Sequence, residues 1–188
     1  MIKVFIGGSQ SIRKLPASVA ARVNNIVGGG FTVLIGDARG VDTCVQKCLV
    51  EKGYANVIVY CTGVCRNNAG GWKSIVVSAN AAERGFDFYA LKDREMASEA
   101  DYGLMVWDGK SKGTLNNVLN LLDENKSALV FFSPEESFHT IRNAEVLSAL
   151  LAKCNRRALA IFEEKLGLSK RLGYSRKTQT ASEELKRQ

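Results

Sequence analysis

Up to Phe132 the chain alternates short, almost uncharged apolar runs with longer stretches in which apolar residues return every third or fourth position. The runs are residues 2–6 (IKVFI), 31–35 (FTVLI), 57–60 (VIVY), 102–107 (YGLMVW) and 128–132 (ALVFF). Such runs, rich in β-branched and aromatic residues, suit strands buried on both faces of a parallel sheet. Between them the period changes to that of a helix. Pro16 opens one, with Val19, Val23, Ile26 and Val27 on its apolar side and three glycines at its end. Others are expected over 41–52, over 88–99, from Thr114 with Leu115, Val118, Leu119 and Leu122, and over 141–162. Only residues 61–84 break the alternation, reading as an irregular excursion with at most a short strand at 75–77. Strands alternating with helices predict an α/β protein: a Rossmann-like open, mainly parallel five-stranded sheet with helices on both faces.

In such a sheet the ligand sits beyond the carboxyl ends of the strands. Three loops are gathered there. The first holds Gly7, Gly8 and Ser9; the second runs from Gly36 through Asp37, Arg39 and Gly40 to Asp42. The third is Asp108, Gly109, Lys110, Ser111, Lys112, Gly113 and Thr114, which offers backbone amides, hydroxyls and two ammonium groups at a helix N-terminus. That combination attracts an anion, so these loops, with Asn117 one turn into the helix, are expected to bind a phosphate-bearing ligand.

Charge adds little to the body of the protein. From Leu151 onward ten basic residues face four acidic ones, so six of the seven net positive charges fall in this C-terminal part. We therefore expect one nucleotide-binding domain over 1–166, C-terminal helix included, and a basic tail over 167–188 through which nucleic acid could be touched. No run approaches the roughly 20 apolar residues of a membrane span, and no signal-peptide pattern opens the chain, so a cytoplasmic protein without a membrane partner is expected. Five cysteines without a secretory signal argue against a disulfide framework. Cys44, Cys48, Cys61 and Cys65 fit no common zinc spacing, and no metal site is expected. Trp72 reads as a loop anchor more readily than as a stacking platform. Apolar positions over 141–162 suggest a homodimer interface.

The loops IGGSQ, IGDARGVD and WDGKSKGT resemble those of the SLOG superfamily, Rossmann-like proteins that include the Lonely-Guy phosphoribohydrolases and the DNA-processing protein A family. The resemblance spans about residues 2–132. It implies that DGKSKGT takes the place of the loop that grips the 5′-phosphate in the phosphoribohydrolases, with Gly113 and Thr114 matching their Gly-Thr. It also implies that GDARGVD corresponds to a turn at the nucleic-acid or nucleotide surface of the DNA-processing family. Those hydrolases carry a catalytic glutamate three residues after the threonine, where this chain has Asn117. An amide cannot stabilise an oxocarbenium-like state or activate water, so catalysis would need Asp37, Asp93 or Asp108. Three functions stay open: binding, and possible N-glycosidic hydrolysis, of a nucleotide or an ADP-ribose-like metabolite, with no cofactor required; binding of single-stranded nucleic acid; and a non-catalytic sensor or assembly subunit.

Overall fold

A computed structural model describes residues 1–78 and 85–173. The strands are β1 (Lys3–Gly8), β2 (Thr32–Gly36), β3 (Val57–Thr62), β4 (Lys73–Val77), β5 (Tyr102–Trp107), β6 (Ala128–Phe132) and β7 (Ser137–Ile141). The helices are α1 (Ala17–Gly28), α2 (Val41–Glu51), α3 (Gly85–Glu99), α4 (Lys112–Asp123), α5 (Ala144–Leu151), α6 (Arg156–Leu166) and α7 (Leu168–Arg171). One sheet takes the order β4-β3-β2-β1-β5-β6-β7, parallel throughout except for β7, which runs antiparallel to β6.

Both faces of the inner strands are covered, which is why they read as continuous apolar runs. On β1, Val4 and Ile6 pack with Val19, Val23 and Ile26 of α1 and Val41, Val45 and Leu49 of α2. Phe5 turns to the other face, among Met96 of α3 and Leu115, Val118 and Leu119 of α4. The order of strands reverses between β1 and β5, so the loops that leave their carboxyl ends turn to opposite faces of the sheet and open a crevice between them.

The sheet has seven strands where five were expected, and both additions are edges. β4 lies inside the stretch read as irregular; its KSIVV packs on one side only, with Val76 exposed. β7 carries Ser137, His139 and Thr140, and its hydrophobic links to the sheet are the buried Ile141 and Phe138, whose ring meets Phe131 at 5.1 Å. The single helix expected over 141–162 is instead the end of β7 followed by α5 and α6. Asn143 and Asn155 start these two helices, their side chains accepting from the amides of Val146 at 2.9 Å and Ala158 at 2.8 Å. Leu147, Leu150, Leu151, Ala158 and Phe162 face inward, leaving Val146 and Ile161 exposed.

Past Gly167 the chain stays packed as far as the description reaches. Leu168 is buried, and Arg171 donates to Asn116 at 2.9 Å, Asn120 at 3.1 Å and Asp123. The rest of the basic tail, 174–188, lies outside the described residues. Among them no helix is long and apolar enough to cross a membrane.

Candidate functional site

The loop after β5 is shaped by its own aspartate. Asp108 Oδ1 accepts the amides of Lys110 at 2.9 Å and Ser111 at 2.8 Å, while Oδ2 accepts the Ser11 hydroxyl at 2.6 Å. Burial alone would raise this carboxyl, but those bonds carry it below the ordinary carboxylate value. Ser111 caps α4, accepting from the Thr114 amide at 3.4 Å and its hydroxyl at 3.1 Å. Beneath them the buried Ser9 accepts from the Asp108 amide at 3.1 Å and lies 3.3 Å from the Thr114 hydroxyl. This hydroxyl chain ties the β1 loop to the β5 loop and directs the start of α4 at the crevice.

The loop after β2 holds a charge cluster. Asp37 is fully buried, and the Arg66 guanidinium grips it through Nε to Oδ2 at 2.9 Å and Nη2 to Oδ1 at 2.6 Å; the Arg66 amide adds a third bond at 3.0 Å. Burial would raise the Asp37 carboxyl, but the Arg66 bonds and the charge of Lys92 hold it below its usual value. Lys92 comes from α3, its side chain 4% exposed, with Nζ 2.8 Å from Asp93 Oδ1 and 3.9 Å from Asp37 Oδ1. Burial works against that ammonium, but Asp93, Asp42 and Asp37 together raise its pKa. Asp42, in the first turn of α2, accepts the Ala38 amide at 3.2 Å. Burial pushes its carboxyl up to about 7 against the pull of Lys92.

Two glycines let these groups approach. A Cβ on Gly36 would stand 2.6 Å from both Asp42 Oδ2 and Lys92 Nζ. Gly40, at φ +84°, lies so near the Gln10 backbone that a Cβ would come within 2.5 Å of its Cα. Neither lines the crevice; both make room for what does.

The fourth wall is aromatic. The Arg66 guanidinium carbon lies 4.5 Å from the centre of the Tyr89 ring, and Lys112 Nζ 4.4 Å from that of Phe86. Asn117, with its amide oriented by its neighbours, donates to Asp93 Oδ2 at 3.1 Å and to the Gly113 carbonyl at 3.0 Å, linking α4 to α3. The cavity so enclosed measures about 990 Å³.

Of the residues expected in the site, Gly7, Gly8, Asp37, Arg39, Asp93, Asp108, Ser111, Lys112, Gly113, Thr114 and Asn117 line this cavity. Ser9, Gly36 and Gly40 lie behind the wall and shape it, whereas Gly109 lies against Phe132 and the exposed Lys110 does not line the cavity. Sequence reasoning took Asp42 only as the end of the second loop and passed over Lys92, Arg66, Phe86 and Tyr89. Lys92 left a signal: it stands four residues before Met96, on the side of α3 that faces the core. Trp72 anchors its loop, donating to the Tyr54 carbonyl at 2.8 Å, and Trp107 is buried in the core.

Against expectation, Cys61 and Cys65 form a disulfide, while Cys44, Cys48 and Cys154 are free. The disulfide is local, closing the turn at the end of β3 immediately before Arg66, so it needs no framework of bridges. Ligand atoms of Asp37, Cys61 and Cys65 lie within 4.8 Å of one another, but the sulfurs are bonded together and Arg66 holds the carboxylate.

No protein-family model and no curated protein matches the sequence. Among solved structures the chain is similar to DNA processing protein A from Helicobacter pylori, described for its single-stranded DNA binding mode: TM-score 0.53 and 15% identity over 88% of this chain and 80% of that one. DNA processing protein A from Streptococcus pneumoniae aligns with TM-score 0.48 and 18% identity over 69% of this chain and 50% of that one. The fold is thus the Rossmann-like α/β architecture, similar to that of the Helicobacter protein.

Proposed function

We propose that the crevice binds a nucleotide or a nucleotide-derived metabolite such as ADP-ribose. The observation that carries this reading is the division of one cavity between two kinds of wall: the N-terminal end of α4 with Lys112, and a floor of Asp37, Asp42 and Asp93 around Lys92. Exposed amides and an ammonium suit a phosphate, while carboxylates suit ribose hydroxyls. Among the described residues Asp37, Asp93 and Asp108 each spend both oxygens on neighbours, whereas Asp42 commits only Oδ2, to the Ala38 amide, and is the carboxylate best placed to bond a ligand. For cleavage of a glycosidic bond, Asp93 would face the developing positive charge. Asp42, with a pKa near neutrality, would be the proton donor.

Calorimetric titration with AMP and ADP-ribose, paired with chromatography of the incubated mixtures, tests both parts. Salt-tolerant binding that Lys112→Ala abolishes supports the pocket; a released base adds hydrolysis. Failure of both compounds to bind removes the reading.

Single-stranded DNA is the second reading, favoured by the fold shared with the Helicobacter protein. Against it, the cavity carries four carboxylates (Asp37, Asp42, Asp93, Asp108) beside four cations (Arg39, Arg66, Lys92, Lys112), a poor match for a polyanion. Oligothymidylate binding that weakens steeply with salt, with no affinity for AMP, would favour the strand.

A further inference from the structure

Phe86 and Tyr89 stand three residues apart at the start of α3, on one side of the helix and on the wall of the cavity. Tyr89 is 44% exposed, and its ring borders the cavity. Phe88 meets its edge at 5.1 Å and helps fix its plane. The two rings are capped differently. Arg66, over Tyr89, is fixed from behind by its fork on Asp37, so this pair is a braced surface. Lys112, over Phe86, sits in the first turn of α4 at the end proposed for phosphate, and a flexible stem carries its ammonium across the mouth of the cavity to the ring. Among the described residues the ammonium is held by this ring face and by a coulombic attraction to the exposed Glu164, contacts weak enough to exchange readily for a stronger partner.

Resting on the nucleotide reading above, we infer that Phe86 and Tyr89 receive the base of the ligand, and that Lys112 leaves Phe86 for the ligand's phosphate as the base arrives. The ligand-free protein thereby keeps an apolar ring covered by the very cation that the phosphate withdraws. A ligand must then carry both parts, an anionic group for Lys112 and a planar ring for the vacated face. Stacking is tolerant of base identity, so selection among bases would be weak.

The test compares AMP with ribose 5-phosphate, which keeps the phosphate and lacks the base, by calorimetry on the full chain. The expected result is that AMP binds more tightly than ribose 5-phosphate and that Phe86→Leu and Tyr89→Leu each weaken AMP about tenfold, while neither weakens ribose 5-phosphate and Phe86→Leu, which frees Lys112 from the ring, tightens it if anything. Lys112→Ala should weaken both ligands. Melting curves confirm that each variant is folded. A second readout is independent of affinity: the Lys112 ε-methylene resonance should lie upfield through the Phe86 ring current, and should move downfield on adding AMP or in Phe86→Leu. The inference is overturned, with the phosphate pocket intact, when the wild type binds both compounds equally or the ring variants lose both alike. It is also overturned by a Lys112 resonance that AMP does not move. Binding of neither compound removes the nucleotide reading and this inference with it.

Discussion

Arg66 and Asp37 meet as a fork on a carboxylate, with the Arg66 backbone amide completing the grip, and the carboxylate is fully buried while the guanidinium is 40% exposed. Removing the fork leaves a buried anion with Lys92 at 3.9 Å as its remaining ionic partner. Losing one member of a buried pair is costly, but the exposure of Arg66 tempers the loss. Arg66→Ala should therefore lower stability by about 2 kcal/mol, measured by chemical denaturation. Arg66→Lys should recover little of it, because an ammonium cannot reproduce the two parallel bonds. Full recovery by lysine would show that charge alone, and not the fork, holds Asp37.

How much of this was readable beforehand follows from where the constraints lie. The five inner strands announced themselves because both of their faces are buried, and the three loops because Gly7-Gly8, Gly36 and Gly109 punctuate the strand ends. β4 and β7 hid because an edge strand can mix polar residues among its apolar ones, Lys73 and Ser74 in β4 and Ser137, His139 and Thr140 in β7, and so breaks the continuous apolar run. Arg66 and Lys92 hid for a different reason. Their partner Asp37 lies 29 residues before Arg66 in the chain, and only the folded crossover brings them together. A charged residue in KDR reads as solvated until its helix is docked.

Gly36 gives a sharper test of the cluster. A methyl group there would collide with Asp42 Oδ2 and Lys92 Nζ, each 2.6 Å away, and neither can leave without exposing a buried charge or losing its partner. Gly36→Ala should cost about 2 kcal/mol. Gly28→Ala, at the end of α1 with open space around it, should be neutral or stabilising by about 0.5 kcal/mol. Equal melting temperatures for the two variants would mean that the space above Gly36 is not needed.

Asp42 ties stability to pH in a definite direction. Its carboxyl rises from the ordinary 3.8 to about 7 in the folded chain, so the folded state binds the proton more tightly than the unfolded one. The stability linked to that proton is fully present below the unfolded value and is lost as pH climbs through the window to about 7. Asp42→Asn, which cannot ionise, should gain on the wild type across this window, by roughly 2–4 kcal/mol at its upper end. Denaturation midpoints at closely spaced pH values decide it; a constant gap between the two proteins would place the Asp42 pKa outside the window.

Asn117, one turn into α4, ties that helix to α3 through its side-chain amide. It donates to Asp93 Oδ2 at 3.1 Å and to the Gly113 carbonyl at 3.0 Å, two acceptors that a carboxylate could only repel. Asn117→Asp should therefore lose both bonds and set one anion against another, lowering stability by about 1–3 kcal/mol at neutral pH. Acidification should narrow the gap, because protonating either carboxyl restores a donor between α3 and α4 and removes the repulsion. Thermal melts of the two proteins at neutral and acidic pH measure this. A gap that stays constant, or widens on acidification, would show that Asn117 contributes shape to the crevice and not the hydrogen bonds that join its walls.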